Sequence, residues 1–502
     1  MVNLSRQLLK NFLSSWIGYI ARIVITFIFI PIIAGSFGET RYGVWVIIFQ
    51  AIGYFALVDF GLTSAITRFV SKNLSLERTD KINRYLNSAN AVYMIIGTIT
   101  FVLIYLFAEY LFPLFKIENA AYLLEGQTSL KILGLFMATH FYMMSFGNSL
   151  AAFQRHDLNR YISLIEEIVR ILIMIFLIKA GYGLVALAST MLTTSILKDI
   201  TGVIILKRIF SPLRFSLKDI DKETVRELFG YSKIAFGITA GWLIIFNTDS
   251  VILGLLISST SAGVFTPAAR LMLYLRNIIN TLSVPLIPAV SHLEAKNNYD
   301  KIRAVYLKGL KYTSYFSFFL CSGVILYADS FTALWLPPEF IRAGEVMIIL
   351  AIGTAFFLPQ IIGNSVLFGI EKHKYLFYII IIESVLKLGL AIFLTPLMGI
   401  IGMALSNTIP QVLLYSIIFP LMLSKIIKLR FGEVFLKIYK FALLGLVVTY
   451  PTGMLIKHLL PPENWSMLSV NIIVVTLVFI IPIFYILEAD DKQKIKSFIS
   501  RA

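Results

Sequence analysis

The stretch YGVWVIIFQAIGYFALVDFGLTSAI, residues 42–66, contains Asp59 as its single charged side chain. A bilayer core about 30 Å thick is crossed by a helix of about 20 apolar residues, so this stretch is long enough to span a membrane. Because lipid offers the backbone no hydrogen-bond partner, a spanning segment is either a helix or a strand of a closed barrel. The length and unbroken apolarity of the stretch exclude a barrel strand and predict a transmembrane helix.

Comparable stretches recur along the whole chain of 502 residues, of which 58% are hydrophobic and 14% charged. The mean hydropathy of +0.83 exceeds what a soluble globule needs. The sequence therefore predicts an all-α integral membrane protein with about 14 transmembrane helices. We place the spans near residues 12–36, 42–66, 88–110, 128–153, 161–179, 183–206, 230–257, 262–290, 312–335, 340–368, 375–395, 400–424, 439–457 and 467–487.

The net charge of +16 suggests nucleic-acid binding at first sight, but the distribution of the basic residues argues against it. Of the 44 Lys and Arg side chains, 31 lie at the termini and on one set of alternate connections, 6 lie on the opposite connections, and 7 lie within spans. The positive-inside rule then places both termini and the basic connections in the cytoplasm. We predict a multi-pass membrane protein without a nucleic-acid partner.

Several chemistries are disfavoured by what the sequence lacks. Cys321 is the single cysteine, which rules out an internal disulfide, and the five histidines show no metal-ligand spacing. The sequence has no Gly-x-x-x-x-Gly-Lys-Ser/Thr loop, no Gly-x-Ser-x-Gly elbow and no His-Glu-x-x-His motif. We therefore expect a protein that is not an enzyme, with no catalytic residues, metal or cofactor. Transport would draw on sodium or proton gradients, on the membrane potential or on downhill substrate flow.

The two halves of the chain resemble each other at a nearly constant offset of 220 or 216 residues. The matches are Thr40, Gly43 and Val44 with Thr260, Gly263 and Val264; Asp80-Lys81-Ile82 with Asp300-Lys301-Ile302; Gly147-Asn148-Ser149 with Gly363-Asn364-Ser365; and Glu167 with Glu383. Each match is short, but their common order and offset indicate an internal repeat of six spans.

Both repeat units begin on the predicted cytoplasmic side, so an axis along the membrane normal relates them. Parallel repeats of this kind are a transporter architecture, with the substrate site between the halves near mid-membrane. We predict an N-terminal six-helix bundle over 1–206, a cytoplasmic linker, either solvated or a surface helix, over 207–229, and a C-terminal six-helix bundle over 230–424. Two extra transmembrane helices and a basic cytoplasmic tail occupy 425–502.

Three arginines within the spans, Arg22, Arg270 and Arg276, are the candidate substrate-binding residues. None has a carboxylate three or four residues away on its own helix, and a charge inside the membrane is costly unless it faces a cavity or a partner. A guanidinium donates two parallel hydrogen bonds, so a cavity lined by these arginines would suit phosphate. The alternative is a structural arginine satisfied by helix carbonyls. Arg22 and Arg270 lie on polar stripes at helical spacing, formed by Ser14, Gly18, Arg22 and Thr26 and by Thr266, Arg270, Tyr274, Asn277 and Thr281.

Oppositely charged residues on two other spans are candidates for charge pairing or ion coupling. Glu166 and Arg170 are four residues apart, as are Glu383 and Lys387, so each pair lies on one helix face. Glu167 belongs to the same group because the repeat matches it to Glu383.

Two aspartates complete the set of candidate residues. Asp249 has no obvious cation nearby on its own span. It is a candidate proton or sodium site, or a partner for an arginine on another span. Asp59 is the second acid with which Arg270 or Arg276 would pair.

Residues 38–73, GETRYGVWVIIFQAIGYFALVDFGLTSAITRFVSKN, resemble the opening signature of bacterial polysaccharide-export proteins. These are the Wzx-type O-antigen flippases of the MATE-like MOP exporter superfamily. The Tyr-Gly-Val-Trp turn and the Val-Asp-Phe-Gly-Leu-Thr-Ser-Ala run carry the likeness most clearly. Residues 261–292 resemble the family's second-half equivalent, and spans arranged as six, six and two also fit.

This resemblance implies a flippase of the bacterial inner or plasma membrane. Such a protein moves an undecaprenyl-pyrophosphate-linked oligosaccharide to the outer leaflet by alternating access, for O-antigen, capsule or related polysaccharide export. The implied partners are the lipid-linked oligosaccharide, membrane lipids and polysaccharide assembly proteins. Family members have a cationic central cavity, and related lipid flippases place arginines in the spans that hold Arg22 and Arg270.

Other functions remain open at this stage. A cation-coupled multidrug antiporter of the same superfamily is favoured by Asp59 and Asp249, whereas a cationic cavity argues against it. A membrane glycan polymerase or ligase would need a sizeable external loop with basic residues, and the predicted external connections are short. A membrane scaffold that transports nothing is a further alternative.

Overall fold

A computed structural model describes residues 2–59, 61–117, 119–153 and 155–486. Over these ranges the longer elements are α-helices, and short 3-10 segments join several of them. The helices are α1 (Val2–Gly53), α2 (Leu62–Leu74), α3 (Thr79–Leu111), α4 (Ala120–Gly147), α5 (His156–Lys179), α6 (Leu184–Ile209), α7 (Lys222–Asn247), α8 (Asp249–Leu256), α9 (Ser259–Ser283), α10 (Leu286–Ala295), α11 (Tyr299–Trp335), α12 (Ala343–Gly369), α13 (His373–Met398), α14 (Ile400–Leu413), α15 (Phe419–Ile426), α16 (Phe431–Leu459) and α17 (Trp465–Ile486). The prediction of an all-α membrane protein is confirmed.

The described helices include eight that are long and apolar enough to cross a membrane, or nine if the bent pair α7–α8 is one span. The predicted spans coincide with helices or adjoining pairs of helices, but the number of fourteen stays a prediction. α1 runs through the first predicted span into the second. Its helical conformation is interrupted at Gly38, where φ is 68°. The boundary between these two predicted spans is therefore a kink in one long element.

The chain forms two units, Met1–Thr266 and Pro267–Ala502. The boundary falls inside α9, later than the predicted linker at 207–229. The reason is packing: α7 lies against α2 and α3, and α8 lies against α1, so both helices belong to the first unit.

Small residues set the spacing of helices in the first unit, where α4 packs most extensively against α3 and α6. A Cβ atom on Gly134 would lie 2.9 Å from Ile104, and one on Gly97 would lie 3.1 Å from the carbonyl oxygen of Ala138. Without a hydrophobic driving force in lipid, close backbone approach at small residues is a main source of helix association.

The second unit is built on α11, which packs against α12 and α16. Hydrogen bonds from side chains to main-chain carbonyls attach the two C-terminal helices, α16 and α17, to α11. The Tyr315 hydroxyl donates to the carbonyl oxygen of Phe479 at 2.8 Å, and the Lys457 ammonium donates to that of Leu326 at 2.7 Å. The rings of Tyr315 and Phe479 also stack with centroids 4.4 Å apart. These contacts fix α16 and α17 on one face of α11.

One carboxylate joins three helices of the first unit. Glu125 on α4 accepts two hydrogen bonds from Arg41 on α1, at 2.8 and 2.6 Å, and a third from the backbone N–H of Leu184 at 2.7 Å. The third bond satisfies one of the free N–H groups at the start of α6. The guanidinium also lies over the ring of Phe37, 4.6 Å from its centroid.

We expect Gly183→Ala to destabilise the protein, because a Cβ atom there would overlap the carboxylate of Glu125 and the guanidinium of Arg41. The backbone φ of −101° suits any residue, so the effect would come from the added methyl group, which displaces these two side chains from their shared hydrogen bonds. Overpacking costs about 1–3 kcal/mol, and the measurement is the unfolding temperature in detergent. Gly389→Ala is the matched control, since nothing lies within 4 Å of its added methyl group. Equal unfolding temperatures of both variants would contradict the overpacking argument.

Candidate functional site

Arg22 lies on α1 and forms an ion pair with a neighbouring helix. Its Nε donates to Oε2 of Glu167 on α5 at 2.7 Å. The sequence has no carboxylate near Arg22 on its own helix, and the partner instead lies on a helix far along the chain.

The side chain of Arg22 stays partly exposed beside this ion pair. It is 52% exposed, whereas that of Glu167 is 13% exposed. Among the residues that the structure describes, Glu167 is the hydrogen-bond partner of Nε, and no bond is found for the two terminal nitrogens. Glu167 thus holds the guanidinium through Nε. Ser14 and Gly18, from the predicted stripe, have side chains outside the described residues.

Further charged groups connect α4, α5 and α6 in the first unit. Arg170 lies 3.5 Å from Glu166, which also accepts a hydrogen bond from the Thr194 hydroxyl at 3.0 Å. Nδ1 of His140 lies 2.8 Å from a carboxylate oxygen of Asp199. Spacing along one helix does not predict this pair, because His140 and Asp199 lie on different helices.

Asp59 accepts hydrogen bonds at the start of α2. It ends the 3-10 segment before α2, and one of its oxygens accepts from the backbone N–H of Thr63 at 3.2 Å and from the Thr63 hydroxyl at 3.1 Å. The same oxygen accepts from the hydroxyl of Tyr93, which is fully buried. The Asp-Phe-Gly-Leu-Thr run of the sequence thus includes a helix start.

Asp249 is buried at the first position of α8, where the axis of the α7–α8 pair bends by 51°. Next to it, the backbone N–H of Ser250 donates to the side-chain oxygen of Gln50 at 3.2 Å. The hydroxyls of Ser250 and Thr266 are hydrogen-bonded at 2.9 Å. Polar groups from α1, α8 and α9 therefore surround this bend inside the first unit.

The second unit contains a separate buried polar cluster around Arg276, a residue of α9. Its Nη2 donates to the side-chain oxygen of Gln411 at 3.1 Å, and its guanidinium lies 4.8 Å from the ring centroid of Phe357. This arginine is buried, so the alternative of a structural arginine describes it better than a cavity arginine. An amide and an aromatic ring are thus among its partners, and a pairing with Asp59 or Asp249 stays a prediction. Arg270 is half-buried on the same helix.

Glu383 and Lys387, both fully buried on α13, belong to the same unit. The hydroxyl of Tyr415 donates to Glu383 at 2.7 Å. Tyr415 lies in a π-helical turn, Leu414–Ile418, and such turns often occur at functional sites. Arg276 lies within electrostatic range of Glu383. The acid is therefore surrounded by donors and cations of its own unit.

Two segments that the repeat matches to each other are in direct contact within the first unit. The hydroxyls of Thr40 and Thr260 are hydrogen-bonded at 2.9 Å. A Cβ atom on Gly43 would overlap the carbonyl oxygen of Ser259, and one on Gly263 would overlap that of Glu39. Each contact is the repeat equivalent of the other, so this pairing is locally two-fold symmetric. We call residues 39–43 and 259–263 the paired segments.

The sequence profile of polysaccharide biosynthesis proteins matches residues 8–294. The chain belongs to the polysaccharide biosynthesis protein family. This confirms the family that the sequence resembles, and the matched range includes both paired segments and Arg22.

Relatives of this polysaccharide biosynthesis protein occur in bacteria and archaea. The uncharacterized membrane protein EpsK of Bacillus subtilis is 21% identical over 512 aligned residues, covering 98% of this chain and 95% of EpsK. The probable low-salt glycan biosynthesis flippase Agl15 of Haloferax volcanii is 21% identical over 413 residues, covering 81% of each chain.

Solved structures show which fold this family member has. The lipid II flippase MurJ, in an inward closed conformation, superposes with a TM-score of 0.73 at 18% identity, covering 93% of this chain and 98% of MurJ. An inward-facing multidrug resistance MATE transporter of the MOP superfamily has a TM-score of 0.62 at 14% identity, covering 82% of this chain and 99% of the transporter. The fold is therefore that of MOP-superfamily transporters.

Proposed function

We propose that this protein moves a polyprenyl-pyrophosphate-linked oligosaccharide from the cytoplasmic to the outer leaflet by alternating access. Membership of the polysaccharide biosynthesis protein family supports a role in glycan export. The fold shared with MurJ and the relative named as the probable flippase Agl15 support a lipid-linked substrate. The proposed location is a bacterial inner membrane with both termini in the cytoplasm.

The observation that carries the proposal is the half-exposed side chain of Arg22 within a helix apolar enough to cross the membrane. A charge in that position avoids lipid and faces water or an ionic partner. With Nε held by Glu167, the terminal nitrogens are oriented to donate to a phosphate. We propose that they bind the pyrophosphate while the lipid tail remains in the bilayer.

The direction of transport follows from the charge of the headgroup. The membrane potential changes the energy of a charge that crosses it by about 2.3 kcal/mol per 100 mV. A cytoplasm at negative potential therefore favours outward movement of the anionic pyrophosphate. The energetic argument requires no ATP hydrolysis by this chain.

The test is flipping by purified protein in proteoliposomes that contain a fluorescent undecaprenyl-pyrophosphate oligosaccharide. A membrane-impermeant reductant bleaches only the outer leaflet, so flipping appears as loss of the protected fraction. The reductant is added outside the vesicles. For protein molecules whose cytoplasmic side faces the lumen, we expect protein-dependent bleaching that is faster when the lumen is at negative potential.

Export of a cationic dye by the same vesicles, without movement of the glycolipid, would instead support the multidrug antiporter. Chain elongation of the oligosaccharide would support a polymerase. The engagement of Asp59 with Tyr93 and Thr63 weighs against that acid as a drug-binding group.

A further inference from the structure

The connection between α6 and α7, residues 210–221, is held against the start of α3 by two asparagine side chains. Asn83 donates to the carbonyl oxygen of Pro212 at 3.1 Å and accepts from the N–H of Arg214 at 3.0 Å. Asn87, one turn later, donates to the carbonyl oxygen of Arg214 at 2.9 Å and accepts from the N–H of Ser216 at 3.0 Å. The two amides thus pair with the connection as a neighbouring strand would.

A second set of contacts fixes the end of the same connection. Arg214 donates to both carboxylate oxygens of Asp219, at 2.7 and 2.9 Å, and these hydrogen bonds lower the pKa of Asp219. The N–H of Asp221 donates to the buried hydroxyl of Ser88 at 2.9 Å. The sequence predicts a cytoplasmic linker over 207–229, either solvated or a surface helix. Within that range residues 210–221 lie along α3, with a short 3-10 segment at Leu217–Asp219, and α7 begins at Lys222.

This anchoring holds large apolar side chains outward. Leu217 is 85% exposed and Phe215 is 61% exposed, and Ile220 is also exposed. Together with Met94 of α3 they line a groove of about 250 Å³. Fixed apolar side chains that face outward mark a contact surface, because water is an unfavourable environment for them.

Exposed basic side chains flank the apolar residues of this connection in the sequence. Arg208, Lys218 and Lys222 are exposed on the same connection and its flanking helix ends. Of the acids on the connection, Asp219 is buried and pairs with Arg214, and Asp221 caps α7 by accepting from the N–H of Thr224. Apolar side chains bordered by cations are typical of segments that lie in the interface of an anionic membrane.

We propose that residues 207–222 form an interfacial anchor that binds an anionic phospholipid of the leaflet facing this connection. An acyl chain lies in the groove against Phe215, Leu217 and Met94, and the headgroup phosphate contacts Lys218 and Arg208. The positive-inside pattern places this anchor at the cytoplasmic leaflet. The inference is independent of the transported substrate.

The test uses spin labels on the full-length protein reconstituted in vesicles. Cys321 is buried, so a label attached in the Leu217→Cys variant reports on the anchor. The matched control is Ser211→Cys, an exposed position on the same connection. In vesicles containing phosphatidylglycerol, we expect the label at position 217 to be several-fold less accessible to an aqueous nickel reagent than the label at position 211. In phosphatidylcholine alone, or with Arg208→Gln and Lys218→Gln added, this protection should shrink.

Equal accessibility of both positions to the nickel reagent in phosphatidylglycerol vesicles would overturn the anchor. Protection of position 217 that is identical in both lipids would overturn the recognition of anionic headgroups. Neither readout involves flipping, so failure here leaves the proposed transport function to its own test.

Discussion

Arg22→Ala is expected to reduce flipping of the lipid-linked oligosaccharide by about 100-fold. The variant removes two charge-assisted hydrogen bonds to the pyrophosphate, each worth about 1.5 kcal/mol or more. At about 1.4 kcal/mol per factor of ten, two such bonds correspond to roughly 100-fold. The measurement is the initial flipping rate in proteoliposomes with equal amounts of folded protein. Arg22→Lys keeps the charge but loses the planar fork, so we expect an intermediate rate.

The matched control is Arg155→Ala, which removes an exposed arginine paired with Asp157 at 3.1 Å at the start of α5. We expect its flipping rate to equal that of the wild type. Because Arg22→Ala also leaves Glu167 without its cation, a second variant with Glu167→Ala added separates lost stability from lost binding. A wild-type rate in Arg22→Ala would remove this arginine from the transport path.

A disulfide in the Thr40→Cys/Thr260→Cys variant is expected to stop transport, and reduction is expected to restore it. The two hydroxyls are 2.9 Å apart, and Gly43 and Gly263 bring the backbones of the paired segments together. From the positive-inside pattern we expect these segments on the outer side. We propose that they separate when the outer side opens, so a covalent link between them would hold it closed.

The chain suits this experiment because Cys321 is its single cysteine and is buried. The single variants Thr40→Cys and Thr260→Cys, treated with the same oxidant, are the controls and should flip at the wild-type rate. Undiminished flipping by a fully cross-linked double variant would show that the paired segments need not separate.

Much of the fold could be predicted from the sequence because lipid restricts the secondary structures that a membrane-spanning segment can adopt. Long apolar stretches must be helical in a membrane, so the stretch at 42–66 led directly to the all-α class. The repeat matches also selected residues that meet in space, as Thr40 and Thr260 do. The continuity of α1 across two predicted spans was harder to predict. Nothing in the hydropathy of α1 distinguishes a kink at Gly38 from a connection between two helices.

The candidate site was less predictable, for a physical reason. Spacing along one helix reveals partners three or four residues away, as for Glu166 and Arg170. It does not reveal partners on other helices, such as Glu167 for Arg22. Asn83 and Asn87 were missed on the same ground: their spacing shows that they share a helix face, but not that this face binds a connection far along the chain.

The central claim is that the guanidinium of Arg22 recognises the charged headgroup of the lipid inside the membrane. Native mass spectrometry of the purified protein, titrated with undecaprenyl pyrophosphate and with the uncharged undecaprenol, measures this directly. We predict that the pyrophosphate binds the wild type at least about tenfold more tightly than the alcohol, a difference of about 1.4 kcal/mol, and that Arg22→Ala abolishes this preference. Equal affinity of the wild type for the two lipids, or an unchanged preference in Arg22→Ala, would contradict the account.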